Sequence, residues 1–194
     1  MLRPGIVRID LDPYWVRRCK REGYRRVQNY QQGRSEKSRV FAHRNADNDP
    51  QLQGESIMGE VGFAKWLGLD PNDAVNWGAD FRAWDVEVGA YRVDVKSIKN
   101  HYHLLLWSVA KNEIWKDKDF HILFLMKVCE DGVCFVGRQT WIAKPDFFAN
   151  KQVADADCPW RLDPGTWYMH ERDLWFTDHF LEFIACLAPS RTTG

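Results

Sequence analysis

Hydrophobic and polar positions alternate most strictly over residues 85–96. Val86, Val88, Tyr91, Val93 and Val95 take one set of positions, while Asp85, Glu87, Arg92, Asp94 and Lys96 take the other. A period of two is that of a strand, whose successive side chains point to opposite faces. Gly89-Ala90 divides the run into the two arms of a hairpin. A two-residue turn with glycine first pairs Val88 with Tyr91, Glu87 with Arg92, Val86 with Val93 and Asp85 with Asp94. One face is then apolar and the other collects charge. Directly opposed residues have Cβ atoms roughly 4.5–5.5 Å apart, so Asp85 and Asp94 repel and call for a cation, and Asp94→Asn is expected to stabilise the metal-free protein. Lys96 shares the face of Asp94.

A helical period follows from about 55 to 67, with Ile57, Val61, Ala64 and Leu67 in one stripe, Phe63 and Trp66 widening it, and Gly68 as the stop. Glu60 falls inside the stripe. A carboxylate on an inward face is costly unless it is paired or coordinates a metal, and Gly59 and Gly62 let a backbone or ligand come close beside it. Upstream, Asp12-Pro13 supply an N-cap and a first-turn proline for a helix that stops near Gly23. Residues 45–54 and 70–84 are polar and read as loops, the second with one short strand. Residues 104–110 suit a buried strand or a helical turn equally. The apolar run 120–129 predicts a strand buried on both faces, turning back at Asp131-Gly132 into 133–137. That turn sets Cys129 opposite Cys134, as reduced packing residues or as a bridge. A short helix follows Pro145, then a strand-like piece at 167–175 and an amphipathic helix from Thr177.

With 194 residues, 45% of them hydrophobic, and ten tryptophans, the chain has the means to bury one sizeable core. Five cysteines without a metal-site spacing or a signal peptide predict free thiols, a reducing compartment and a cytoplasmic location. No apolar run reaches the ~20 residues that span a bilayer. The formal net charge is zero but unevenly spread: residues 1–44 hold 12 Lys or Arg against 4 acids, and the rest hold 15 against 23. Residues 1–53 therefore read as a basic arm and helix of the same domain whose body is 54–194. Arg17, Arg18, Arg21, Arg25 and Arg26, interleaved with tyrosines, have the composition that contacts phosphates and stacks on bases; a solvated basic helix is the plainer reading. There is no His-Glu-x-x-His, P-loop or Gly-x-Ser-x-Gly pattern, so zincin, P-loop nucleotide and serine-hydrolase chemistries are not indicated. His101 and His103 are candidate substrate contacts or ordinary surface groups.

Asp85 on one strand and Asp94-Val95-Lys96 on its hairpin partner resemble the signature of the PD-(D/E)XK nuclease superfamily. The stretch 59–68, Gly-Glu-Val-Gly-Phe-Ala-Lys-Trp-Leu-Gly, looks like the Gly-Glu helix that precedes the hairpin in phage and bacterial members. No proline precedes the first acid, which follows Trp84. Asp80 is the rival first acid, but the hairpin register carries it off the end of the site. The resemblance spans about residues 54–182 and implies an α/β, restriction-endonuclease-like core with a central mixed sheet flanked by helices. It further implies Mg²⁺ or Mn²⁺ held by Asp85, Asp94 and Glu60 with the Val95 carbonyl, Lys96 assisting the attacking water, and DNA as the partner. RNA is the alternative substrate. A catalytically inactive nucleic-acid-binding or assembly protein of the same fold is the alternative function.

Overall fold

The computed structural model describes residues 5–31, 49–77, 84–99, 104–107, 119–160, 162 and 164–186. Asp80, His101, His103 and the basic residues of 32–48 lie outside them. The fold is mixed α/β. Its larger sheet runs in the order β1 (Val7–Asp10), β6 (Val133–Val136), β5 (Ile122–Val128), β3 (Tyr91–Lys99), β2 (Val86–Val88). β7 (Gln139–Ala143) also pairs with β5, and β10 (Trp175–Phe176) pairs with β7. β3 and β5 are parallel and the other pairs antiparallel, so the sheet is mixed. A smaller sheet joins β4 (Leu104–Trp107), β9 (Trp167–His170) and β8 (Gln152–Val153). Residues 104–107 therefore form a strand, the choice that periodicity left open.

The alternation within β5 divides the interior in two. Ile122, Phe124, Met126 and Val128 face a core built with α1 (Pro13–Gln31), α2 (Pro50–Trp66) and Phe180 of α5 (Thr177–Ala185), to which Trp15, Cys19, Ile57, Val61, Phe63, Val93 and Val95 belong. Leu123 and Leu125 face a second core with Leu105, Ile142, Met169 and Phe147 of α4 (Lys144–Asn150). A strand buried on both faces was the expectation for this apolar run, and it holds.

The β2–β3 register is the predicted one, Val86 with Val93, Glu87 with Arg92 and Val88 with Tyr91, and Gly89 takes the positive φ of +59° that the first turn position requires. The β5–β6 turn differs. Val128, not Cys129, pairs with Cys134, because the loop holds three residues: the Cys129 amide donates to the Val133 carbonyl and Gly132 sits at φ +89°. All five cysteines are free.

Both long helices exceed the expectation. α2 begins at Pro50 because Asp49 caps it, accepting from the amides of Gln51 and Leu52. α1 runs through Gly23 without stopping there. A Cβ at Gly23 would stand 2.5 Å from the Gly54 nitrogen and 2.9 Å from its Cα, so this glycine is where the two helix backbones meet. The segment read as loop at 70–84 contains the short helix α3 (Pro71–Ala74), and β1 was not foreseen. Among the described residues no helix is long and apolar enough to cross a membrane.

Candidate functional site

β3 carries two of the candidate residues, Asp94 and Lys96. Val93, Val95 and Ser97 point towards α2, where the Ser97 hydroxyl donates to the Ser56 carbonyl at 3.0 Å. Asp94, Lys96 and Ile98 point to the other face of the sheet, in register with Leu123, Leu125 and Lys127 of β5. Asp94 is completely buried. The Lys96 Nζ lies 2.5 Å from its Oδ2, with the lysine side chain 17% exposed. The predicted neighbours on one strand face thus form an ion pair.

Asp85 arrives at the same stretch from the end of β2. Its own amide donates to the Val93 carbonyl at 3.0 Å, and its Oδ2 accepts from the Val95 amide at 2.8 Å. The carboxylate takes the place of a backbone carbonyl in the ladder, so β2 begins only at Val86. This relieves the like-charge opposition that the register alone implies. Asp94 is balanced by Lys96, and Asp85 spends an oxygen on an amide.

Glu60 lies on the helix side of the sheet. It is 1% exposed, and both its oxygens face the Arg26 guanidinium of α1 at 3.3 Å. Of the two conditions under which a carboxylate survives on an inward face, pairing is the one this structure shows. Arg26 also reaches the Asn76 carbonyl at 3.5 Å. Asn76 in turn donates from its amide to the Asp85 carbonyl at 2.8 Å and from its side chain to the Trp84 carbonyl at 3.2 Å. A polar chain therefore runs from Glu60 through Arg26 and Asn76 to Asp85 and Val95, fastening the start of the hairpin to the two helices. Asn76 carried no sequence signal, since an asparagine in a polar segment reads as turn chemistry.

No family model, curated protein or solved structure matches the chain. The function must be argued from these residues.

As ligands, Asp85, Asp94 and the Val95 carbonyl are hard oxygen donors of the kind that Mg²⁺ and Mn²⁺ prefer. The two aspartates come from adjacent strand positions and fit such a cation in kind. Glu60, the third expected ligand, stands on α2 with Arg26 against it, and among the described residues no group of three Asp, Glu, His or Cys side chains is placed to hold a metal ion. The five arginines of α1 also divide. Arg18 lies over the Trp77 ring at 3.9 Å and hydrogen-bonds Asn72. Arg25 is held by Glu22 and donates to the Trp77 carbonyl at 2.7 Å, and Arg26 by Glu60. These three, expected at phosphates, each have a partner within the fold. Arg17 and Arg21 are exposed.

Proposed function

We propose that the chain is a metal-dependent nuclease with a restriction-endonuclease-like core, hydrolysing phosphodiester bonds of DNA at the end of the β2–β3 hairpin. The observation that carries this reading is the completely buried Asp94 beside Lys96, at a position flanked by Val93, Val95 and Leu123. A buried ion pair is a poor source of stability compared with apolar side chains of similar volume. A charged pair kept in such a place, with a second carboxylate delivered two residues away on the neighbouring chain segment, is the pattern of a site retained for chemistry.

In this reading Asp85 and Asp94 hold Mg²⁺ or Mn²⁺, with the Val95 carbonyl as a further oxygen. The bound cation supplies acidity to water and offsets charge on phosphoryl oxygens. Lys96 places an ammonium beside Asp94, where it orients the nucleophile and meets developing negative charge. Glu60, through Arg26 and Asn76, fixes the segment that delivers Asp85. Metal binding is read directly by thermal unfolding. Mn²⁺ should raise the melting temperature of the wild type, by about 2.7 kcal/mol of stabilisation at 100 Kd, and leave Asp94→Asn unmoved; equal shifts in both proteins would remove the aspartate site.

The second reading, a nucleic-acid-binding protein that does not cleave, is favoured by one observation: Asp94 and Glu60 each already have a protein cation against them. Absence of any metal-induced shift in the wild type, with nucleic-acid binding intact, would select it. RNA stands beside DNA as a substrate to be assayed in parallel.

A further inference from the structure

α1 carries six Lys or Arg and a single acid, Glu22. Arg18, Arg25 and Arg26 have partners within the fold, and Glu22 is consumed by Arg25. Arg17, Lys20 and Arg21 are exposed and make no ion pair among the described residues. The two tyrosines that bracket them, Tyr14 and Tyr24, are 53% and 61% exposed, and Tyr24 is the most exposed large hydrophobic side chain among the described residues. Positions 14, 17, 21 and 24 are spaced by three, four and three, which puts them in one stripe along the helix. Lys20 stands beside that stripe. From Tyr14 to Tyr24 the helix rises about 15 Å.

This stripe does not face the hairpin carboxylates. On the opposite side of α1, Trp15 and Cys19 are buried in the core shared with α2 and the sheet and Val27 is buried as well, whereas Asp94 and Lys96 project from the other side of that sheet. A basic surface placed there does not escort a phosphate to Lys96 by proximity. It is a surface in its own right.

We infer that the outer face of α1 is a binding site for single-stranded nucleic acid, separate from the hairpin site, in which Arg17, Lys20 and Arg21 contact backbone phosphates and Tyr14 and Tyr24 stack on bases. Charge complementarity selects a polyanion. The exposed aromatic rings select one with accessible base faces, since a duplex offers its phosphates to the cations but keeps its bases stacked on each other. The inference goes beyond the nuclease reading and does not depend on it.

The test is fluorescence anisotropy of labelled single-stranded DNA, single-stranded RNA and hairpin duplex oligonucleotides, titrated with full-length protein in chelator so that no cleavage intervenes. Single strands of either sugar should bind more tightly than duplex. Tyr24→Ala and Tyr14→Leu should each weaken single-strand binding about fivefold or more, while Tyr24→Trp retains it. The triple variant Arg17→Ala, Lys20→Ala, Arg21→Ala should lower the slope of log K against log salt by about 2. All five substituted positions are exposed, and circular dichroism checks that each variant is folded. Equal affinity for duplex and single strand together with neutral tyrosine variants, or an unchanged salt slope, would each overturn the proposal. Loss of the Mn²⁺ shift in Asp94→Asn with oligonucleotide binding unchanged would show the two sites to be independent; absence of cleavage with binding intact would remove the nuclease reading alone.

Discussion

Asp94 has no exposed surface and a lysine at 2.5 Å, and this changes what its substitution should do. Opposed aspartates predict that Asp94→Asn relieves repulsion and stabilises the metal-free protein. The ion pair predicts the reverse, because the amide leaves the Lys96 charge partly buried without its carboxylate. The loss should be about 2 kcal/mol in chelator, below the ~3–5 kcal/mol of a fully buried pair because Lys96 is still 17% exposed and can take up water. Denaturant unfolding measures it, and a stabilised variant would restore the repulsion picture. A second expectation concerns thiols. Burial, with the nearby Glu60 charge next in importance, pushes the Cys19 thiol up from 9.0 to about 12, and burial likewise pushes Cys134 up to about 12. Both stay protonated in the folded protein while the unfolded chain ionises its thiols from about pH 8.5. Their contribution to stability is therefore whole below that pH and is lost as the pH rises towards 12, at roughly 1.4 kcal/mol per pH unit for each thiol. At pH 8 a thiol reagent should modify the exposed Cys186 and spare Cys19 and Cys134 until the protein is denatured. Rapid native labelling of either buried thiol would contradict their place in the core.

The elements show which features of a chain announce themselves. The hairpin was legible from Val86 to Val93 because its alternation and its glycine turn are local and together set the register; the place of the Asp85 carboxylate on the Val95 amide was not. The extent of α1 was not legible, because Gly23 looks like a stop signal when only propensity is considered. Its reason is tertiary, the approach of the Gly54 backbone. Gly23→Ala should therefore destabilise the protein by about 2 kcal/mol or more, through separation of the helices, even though alanine is favoured over glycine in a helix by about 1 kcal/mol. Thermal unfolding checks the sign, and a more stable Gly23→Ala protein would dissociate the two helices from this contact. β1 and β4 are four-residue strands, too short for periodicity to register. The three-residue loop after β5 was missed because Asp-Gly is also the signature of the two-residue turn, and only the backbone conformation of Glu130 to Gly132 distinguishes them.

At the scale of the molecule, charge composition located the basic helix but not which of its arginines face outwards. Arg18, Arg25 and Arg26 have internal partners that lie 34 to 54 residues away in sequence, and no local pattern reveals such partners. The same holds for Glu60. Its inward position was readable from the helical stripe, whereas its partner Arg26 was counted among the residues meant for phosphate. The sheet then separates what the sequence seemed to gather: Glu60 and the basic helix on one side, Asp94 and Lys96 on the other, with Asn76 and Asp85 at the edge between them. The claim that this edge is a hydrolytic site is tested most directly by cleavage of labelled DNA and RNA in Mg²⁺ and in chelator. Wild type should be compared with Asp94→Asn and with Lys96→Arg, which keeps a cation against Asp94. The account predicts metal-dependent cleavage by the wild type, none by Asp94→Asn, and a loss of roughly 10²-fold or more for a folded Lys96→Arg. Cleavage that persists in chelator, or that survives unchanged in folded Asp94→Asn, would contradict it.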